Sequence, residues 1–280
     1  MSVSLATVYA AATDELFKTE AKIGLVTNRD YDWTGAHSVK VWKISTAPMV
    51  DYARNVSAGE DATPLTRYGA LVDLNAATEE MILSKDRSFI FNVDKLDTDE
   101  TNGQLEAGTA LARQLREVVV PEIDTYCFGK MVTGAGTTVT SAYSAEAVYE
   151  SILLASQTLD DNEIPETGRV LIVTPEVYTD LKKITAFDNT DVGAELRLSG
   201  VVGILDGATV VKVPAARLPE RVKFILCHPS ATCAPVKLED YNVHSDTVLS
   251  SGDIVTGRVC YDAFVLDNKA EGIYVYRPTA

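Results

Sequence analysis

The sequence predicts a mixed α+β fold, and three observations carry that expectation. Apolar and small residues recur at helical spacing on one face from Gly108 to Cys127. Short β-rich runs alternate with capped helical runs through the second half of the chain. An Asp206-Gly207 dipeptide separates two apolar segments, as a tight hairpin turn would. No internal repeat, low-complexity linker or shift in composition marks a boundary.

Composition narrows the function classes. The 280 residues carry 40 Asp+Glu against 25 Lys+Arg, a formal net charge of −15, with 46% hydrophobic and 23% charged residues. These proportions exclude a disordered tail, a collagen-like repeat and a coiled-coil rod. At ~150 residues per domain, the length allows one large domain or two modest ones. Duplex binding rests on clustered Lys and Arg that displace counterions from phosphates, so the acidic balance argues against a surface built to grip nucleic acid. No apolar run approaches the ~18–20 residues of a membrane span. Residues 1–20 lack a basic n-region and gain Asp14 and Glu15 early, unlike a signal peptide. The expectation is a soluble protein with no membrane partner.

In chain order, residues 1–30 read as an arm, with a short amphipathic helix around Tyr9–Lys22 and a turn at Thr27-Asn28-Arg29-Asp30. SVKVWKIST (38–46) reads as a strand, and a second extended region runs from Ala77 to Asp94. The polar stretch between them is broken by Gly59, Pro64 and Gly69. Nine extended residues reach about 30 Å, and a lone two-stranded projection is marginal in water. Such an arm is expected to lie on something else, such as a neighbouring subunit.

The long helix follows. Leu111, Ala112, Leu115, Val118, Val119, Ile123, Tyr126 and Cys127 share one face, with Arg113, Arg116, Glu117 and Asp124 opposite. Pro121 removes one backbone bond and clashes with the preceding turn, which predicts a kink without a stop. From Ala107 to Met131 the helix would span about 37 Å. Ser144 is placed to cap a helix carrying Val148, Ile152, Ala155 and Leu159. Arg169–Val173 reads as a buried strand, and Thr174-Pro175-Glu176 opens a helix ending near Lys182-Lys183, as the helix dipole favours. Further strands are predicted at Val222–Cys227, Pro235–Val243, Arg258–Leu266 and Gly272–Tyr276, after the hairpin about Asp206-Gly207.

Signals of chemistry are weak. His37, His228 and His244 keep no ligand spacing with one another or with cysteine. Cys127, Cys227, Cys233 and Cys260 fit no common zinc or redox pattern and read as core thiols. The Gly-rich stretch VTGAGTTVT (132–140) follows a helix and has Val139 where a dinucleotide loop needs its third glycine. The acidic run at 94–100 lacks calcium-loop spacing. The expectation is a protein that is no enzyme, with no catalytic residue, metal or cofactor.

Five collinear segments point to one family: TNRDYDWTGAHSVKVWKI (27–44), SKDRSFIFNVDKLDTDET (84–101), VVVPEIDTYCFGKM (118–131), DDNEIPETGRVLIVTPEVYTDL (160–181) and YDAFVLDNKAEGIYVY (261–276). In these the sequence resembles the major capsid proteins of tailed phages with the Hong Kong 97-type fold. The resemblance implies an N-terminal arm (1–37), an extended β-hairpin loop (38–93) and a peripheral domain (94–145) with a kinked spine helix at about 107–131. It also implies a mainly axial domain (146–255) and C-terminal strands (256–280) returning to the peripheral domain. The implied function is self-assembly into the icosahedral shell around a double-stranded DNA genome, as pentamers and hexamers, in the host bacterial cytoplasm and then the virion. A cellular nanocompartment shell of the encapsulin kind shares the fold and is the alternative; a soluble α/β enzyme is a distant third. Some family members crosslink through a lysine near the loop tip, but no lysine lies between Lys43 and Lys85, so noncovalent contacts are expected. Residues 1–30 leave no room for an internal scaffolding segment. A separate scaffolding protein, a portal and a decoration protein are therefore the expected partners, with DNA enclosed without sequence-specific binding. Trp42, Arg54 and Arg67 are the expected arm contacts, because Trp and Arg are enriched at interface anchors. Glu122 and Asp124, on the polar face of the spine, are the expected charged contacts.

Overall fold

Strand pairing, more than strand propensity, divides this chain. The computed structural model describes residues 22–28, 38–44, 46–52, 54, 67–68, 73, 76–100, 106–183, 203–245 and 250–279. These fall into two compact units: those between Gly35 and Leu83, and all the others. The helix expected before Lys22 and His37 lie outside the described residues.

In the smaller unit, β1 (Ser38–Ile44) and β2 (Ala76–Ile82) pair antiparallel, Ser38 opposite Ile82 and Ile44 opposite Ala76. The extended stretch expected from Ala77 to Asp94 is in fact two strands. After Leu83-Ser84 the chain enters β3 (Lys85–Asp94), which belongs to the larger unit and pairs there with a strand 167 positions later, Gly252 opposite Asp94. Residues 84–93, expected in the extended loop, therefore fall outside the smaller unit. Asp94 then accepts the Leu96 N–H at 2.8 Å and caps α1 (Lys95–Glu100).

The spine is α2 (Ala107–Gln114), a π-helical turn (Leu115–Val119) and α3 (Val120–Thr133). The Val120 N–H bonds to the Leu115 carbonyl, five residues back. Pro121 has no N–H to give and its ring would collide with a carbonyl one turn earlier, so the wider turn relieves the clash. The turn inserts one residue into the stripe. Ala107 and Leu111 are buried before it, Leu115 and Val119 within it, and Val120, Ile123, Asp124, Cys127, Phe128 and Met131 after it. Two expectations are corrected by this phase shift. Val118, read as buried, is 45% exposed, and Asp124, read as polar-faced, is 0% exposed.

Beyond the spine come β4 (Thr137–Val139), α4 (Val148–Asp161), β5 (Val170–Val173), α5 (Pro175–Lys183), β6 (Ile204–Leu205), β7 (Ala208–Lys212) and β8 (Phe224–Cys227). The short β9 (Thr232–Cys233), the long β10 (Val236–His244) and β11 (Gly252–Tyr261), β12 (Phe264–Val265) and β13 (Ile273–Tyr276) follow. Ser144 does not cap α4, which starts after Ala147 with no side-chain cap. Thr174 does cap α5, its Oγ1 3.4 Å from the Val177 N–H. The hairpin at Asp206-Gly207 forms as expected, with φ of 49° and 74°, joining β6 to β7.

A six-stranded sheet, in the order β4-β13-β8-β5-β7-β6, holds the core. β5 runs parallel to β7 and antiparallel to β8, and β13 runs antiparallel to β8 and parallel to β4. Alternate side chains point to opposite faces. Val170, Ile172, Ile225, Ile273 and Val275 join Leu115, Ile123 and Phe128 of the spine in one apolar cluster. Leu171, Val173, Phe224, Leu226 and Tyr274 join Ile152 and Leu159 of α4 and Val177 and Leu181 of α5 in the other. Each such side chain contributes roughly 1.5–3 kcal/mol on burial. Cys127, Cys227 and Cys233 are buried thiols, and burial pushes the Cys227 thiol up to about 12, which makes it inert. A second sheet, β10-β11-β3, packs Phe89 against Gly257, where any side chain would meet the Phe89 ring.

Candidate assembly surfaces

The expected contact residues occupy three different environments. Trp42 lies in β1 opposite Thr78; its side chain lies outside the described residues. The ribbon around it is laced by cross-strand ion pairs, Lys43 to Glu79 at 2.9 Å and Lys40 to Glu80 at 3.8 Å.

Arg54 and Arg67 are exposed in the same unit. Beside them in sequence stands an aromatic pair the sequence reading passed over. Tyr52 and Tyr68 meet edge to face, their ring centroids 5.1 Å apart, and so bring segments 46–52 and 67–68 together. Tyr68 is 79% exposed and Met49 is 99% exposed. Met, Tyr and Arg are the residue types enriched in interface cores. The signal was present in the sequence, since VDYAR and LTRYG each place Tyr within two residues of Arg in a polar stretch.

Glu122 and Asp124, two residues apart on α3, part company. Glu122 accepts from Arg87 Nε at 2.8 Å and from the Tyr261 hydroxyl at 3.3 Å, so its charge is paired within the chain. Asp124 accepts from Arg217 Nη1 at 2.9 Å and from the Ile23 and Lys22 amides at 3.3 and 3.4 Å. Burial pushes its carboxyl up, against the pull of those donors. It fastens the start of the described chain to the spine and offers nothing to a partner.

Asp262 was missed altogether. It is buried where the chain crosses from β11 to β12. It accepts from the Ser84 amide at 2.8 Å, the Ser84 hydroxyl at 2.7 Å, the Tyr126 hydroxyl at 2.8 Å and the Ala263 amide at 2.7 Å. Burial pushes Asp262 up, but these donors outweigh it and hold the carboxyl below its ordinary value. A lone acid between apolar residues, VCYDAFVL, was the available signal.

Among the described residues no group of three or more His, Cys, Asp or Glu side chains could hold a metal ion. The His228 ring meets the Ser230 hydroxyl at 2.7 Å and the Thr167 carbonyl at 3.2 Å, contacts that shape a turn. No helix among the described residues is long and apolar enough to cross a membrane.

A family model described as phage capsid protein matches residues 78–274. The chain belongs to the phage capsid protein family. No curated protein sequence matches it. Solved structures extend the likeness to the whole fold. A chain of Mycobacterium phage Che8 matches with a TM-score of 0.72 at 23% identity, over 91% of this chain and 90% of that one. The capsid of Myoviridae phage XM1 matches with a TM-score of 0.64 at 12% identity, over 91% and 90%. A virus-like particle from Pyrococcus furiosus matches with a TM-score of 0.60 at 12% identity, over 98% and 100%. The protein is a phage major capsid protein with the Hong Kong 97-type α+β fold, a structural component of the virion. The family match gives the nanocompartment alternative no better support than the capsid.

Proposed function

We propose that this capsid protein is the repeating subunit of an icosahedral shell around the double-stranded DNA of a tailed phage, built as pentamers and hexamers through noncovalent contacts. The carrying observation is the family match over residues 78–274. The exposed Met49, Tyr52, Tyr68, Arg54 and Arg67 supply the chemistry of a subunit contact within the loop unit. In this reading residues 35–83 are the extended loop, resting on a neighbouring copy, with Trp42 on the same ribbon. The spine belongs to the peripheral domain, and α4, α5 and the sheet they cover belong to the axial domain at capsomer centres. Multiple weak contacts per subunit give a closed shell far greater stability than any one contact. A separate scaffolding protein directs curvature, a portal fills one vertex, and a decoration protein is a further partner. Assembly takes place in the host bacterial cytoplasm, and the DNA is enclosed without sequence recognition. The subunit has no catalytic role.

Negative-stain microscopy with velocity sedimentation tests this. Purified protein is expected to give uniform shells, sheets or capsomer rings. A small monodisperse oligomer under all assembly conditions overturns the reading, and shells that copurify with an encapsulated enzyme favour a nanocompartment.

A further inference from the structure

Residues 22–28 cross the larger unit as a strap with a fastening at each end. At one end the Ile23 and Lys22 amides reach the Asp124 carboxylate of α3 at 3.3 and 3.4 Å. At the other, the Asn28 N–H donates to the Thr232 carbonyl at 2.9 Å, and its side-chain amide donates to the Ser230 carbonyl at 3.1 Å. There Asn28 forms an isolated bridge with Cys233 of β9. Between the ends, a 3₁₀ turn (Ile23–Leu25) helps bury Ile23 and Val26 in the apolar cluster of the spine, while Leu25 stays 53% exposed. A segment held by a few backbone bonds and two apolar side chains belongs to the low-stability end of a fold, which opens locally before the rest unfolds.

The fastening at Asp124 has its own chemistry. A buried carboxylate keeps its charge only where close donors compensate for lost water. The facing cation is Arg217, from the turn Ala215–Arg217, whose Nη1 lies 2.9 Å away. The facing groups from the strap are the two amides, and both are long contacts for hydrogen bonds. On its own helix Asp124 acts on the Cys127 thiol, which burial and the Asp124 charge keep neutral. Lifting the strap would let water reach Asp124 and relieve its desolvation. In the docked strap, burial is the main influence on the carboxyl and raises it above its ordinary value of 3.8.

We infer that residues 22–28 form a proton-linked strap, clasped at Asp124 and docked most firmly when that carboxyl is neutral. Docking takes up a proton, so the gain is fully present below 3.8 and is lost as pH rises through the higher docked value. Undocking bares Ile23, Val26 and the apolar surface they cover, which gives the subunit a second conformation with its sheets intact. The device belongs to the single subunit and stands whether or not the chain forms a shell.

Hydrogen–deuterium exchange of the full chain, corrected for intrinsic exchange at each pH, tests this. Between about pH 4 and about pH 8, protection of the Ile23 and Asn28 amides is expected to fall about tenfold for each pK unit of the shift. The β5 amides should keep their protection. Asp124→Asn keeps an acceptor oxygen and cannot ionise, so strap protection should lose its pH dependence. Arg217→Gln removes the facing cation and should enlarge the fall. Strap protection that is flat with pH in the wild type overturns the inference. A fall that Asp124→Asn retains places the linkage on another group and overturns it too, as does a fall that β5 shares, which is global unfolding.

Discussion

Asp262 shows how much one side chain can organise. Its carboxylate gathers donors from Ser84, Tyr126 and Ala263, so it ties the entry of β3, the spine and the β11–β12 connection at one point. Replacing it with Ala leaves those donors without their acceptor and is expected to cost about 2–4 kcal/mol, measured by urea unfolding of the unassembled subunit. A pH effect follows from the same contacts. Because the folded carboxyl lies below its ordinary value of 3.8, its contribution is fully present above that pH and is lost as pH falls through the lower folded value. Asp124 acts in the opposite sense: raised by burial, it costs stability as pH rises through its folded value. The melting temperature of Asp262→Asn should therefore fall less steeply than that of wild type as pH drops below 3.8. An unchanged slope removes Asp262 as the source.

Among elements, the spine carries the sharpest contrast between pattern and outcome. The sequence stripe holds up to Leu115 and then slips by one residue, because Pro121 is accommodated by a π turn, not by a bend in an α-helix. A register test is direct. Leu115→Ala should cost about 2–5 kcal/mol as a large-to-small core change, whereas Val118→Asn should stay within about 0.5 kcal/mol as a surface change. Equal costs would restore the uninterrupted stripe. Elements with their own local chemistry were legible in advance: the Thr174 cap, the Asp206-Gly207 hairpin and the apolar β5 all appear where composition put them. Choices of long-range partner were not legible. Nothing local separates β2 from β3, since both are extended, yet one pairs with β1 and the other with a strand more than 160 positions away. Of the proposed contact residues, Arg54 and Arg67 rest on residue type and exposure. The Tyr52–Tyr68 pair and the burial of Asp124 depend on geometry that spacing alone does not contain.

At the scale of the whole molecule, the −15 charge bears on the proposed enclosure of DNA, because an acidic wall would repel it. Empty shells are expected to retain no double-stranded DNA at about 0.15 M salt, where nonspecific binding by basic surfaces still persists; retention in a gel-shift or cosedimentation assay would point to a basic lining. The sheet at the centre of the larger unit has a temporal side as well. β13, made after every other strand of that sheet, sits inside it between β4 and β8. At ~5–20 residues per second, the ribosome delivers it several seconds after β8. Until then β8 keeps an open edge, and β4 has no strand to join. The subunit thus completes its core sheet only once its last strand exists.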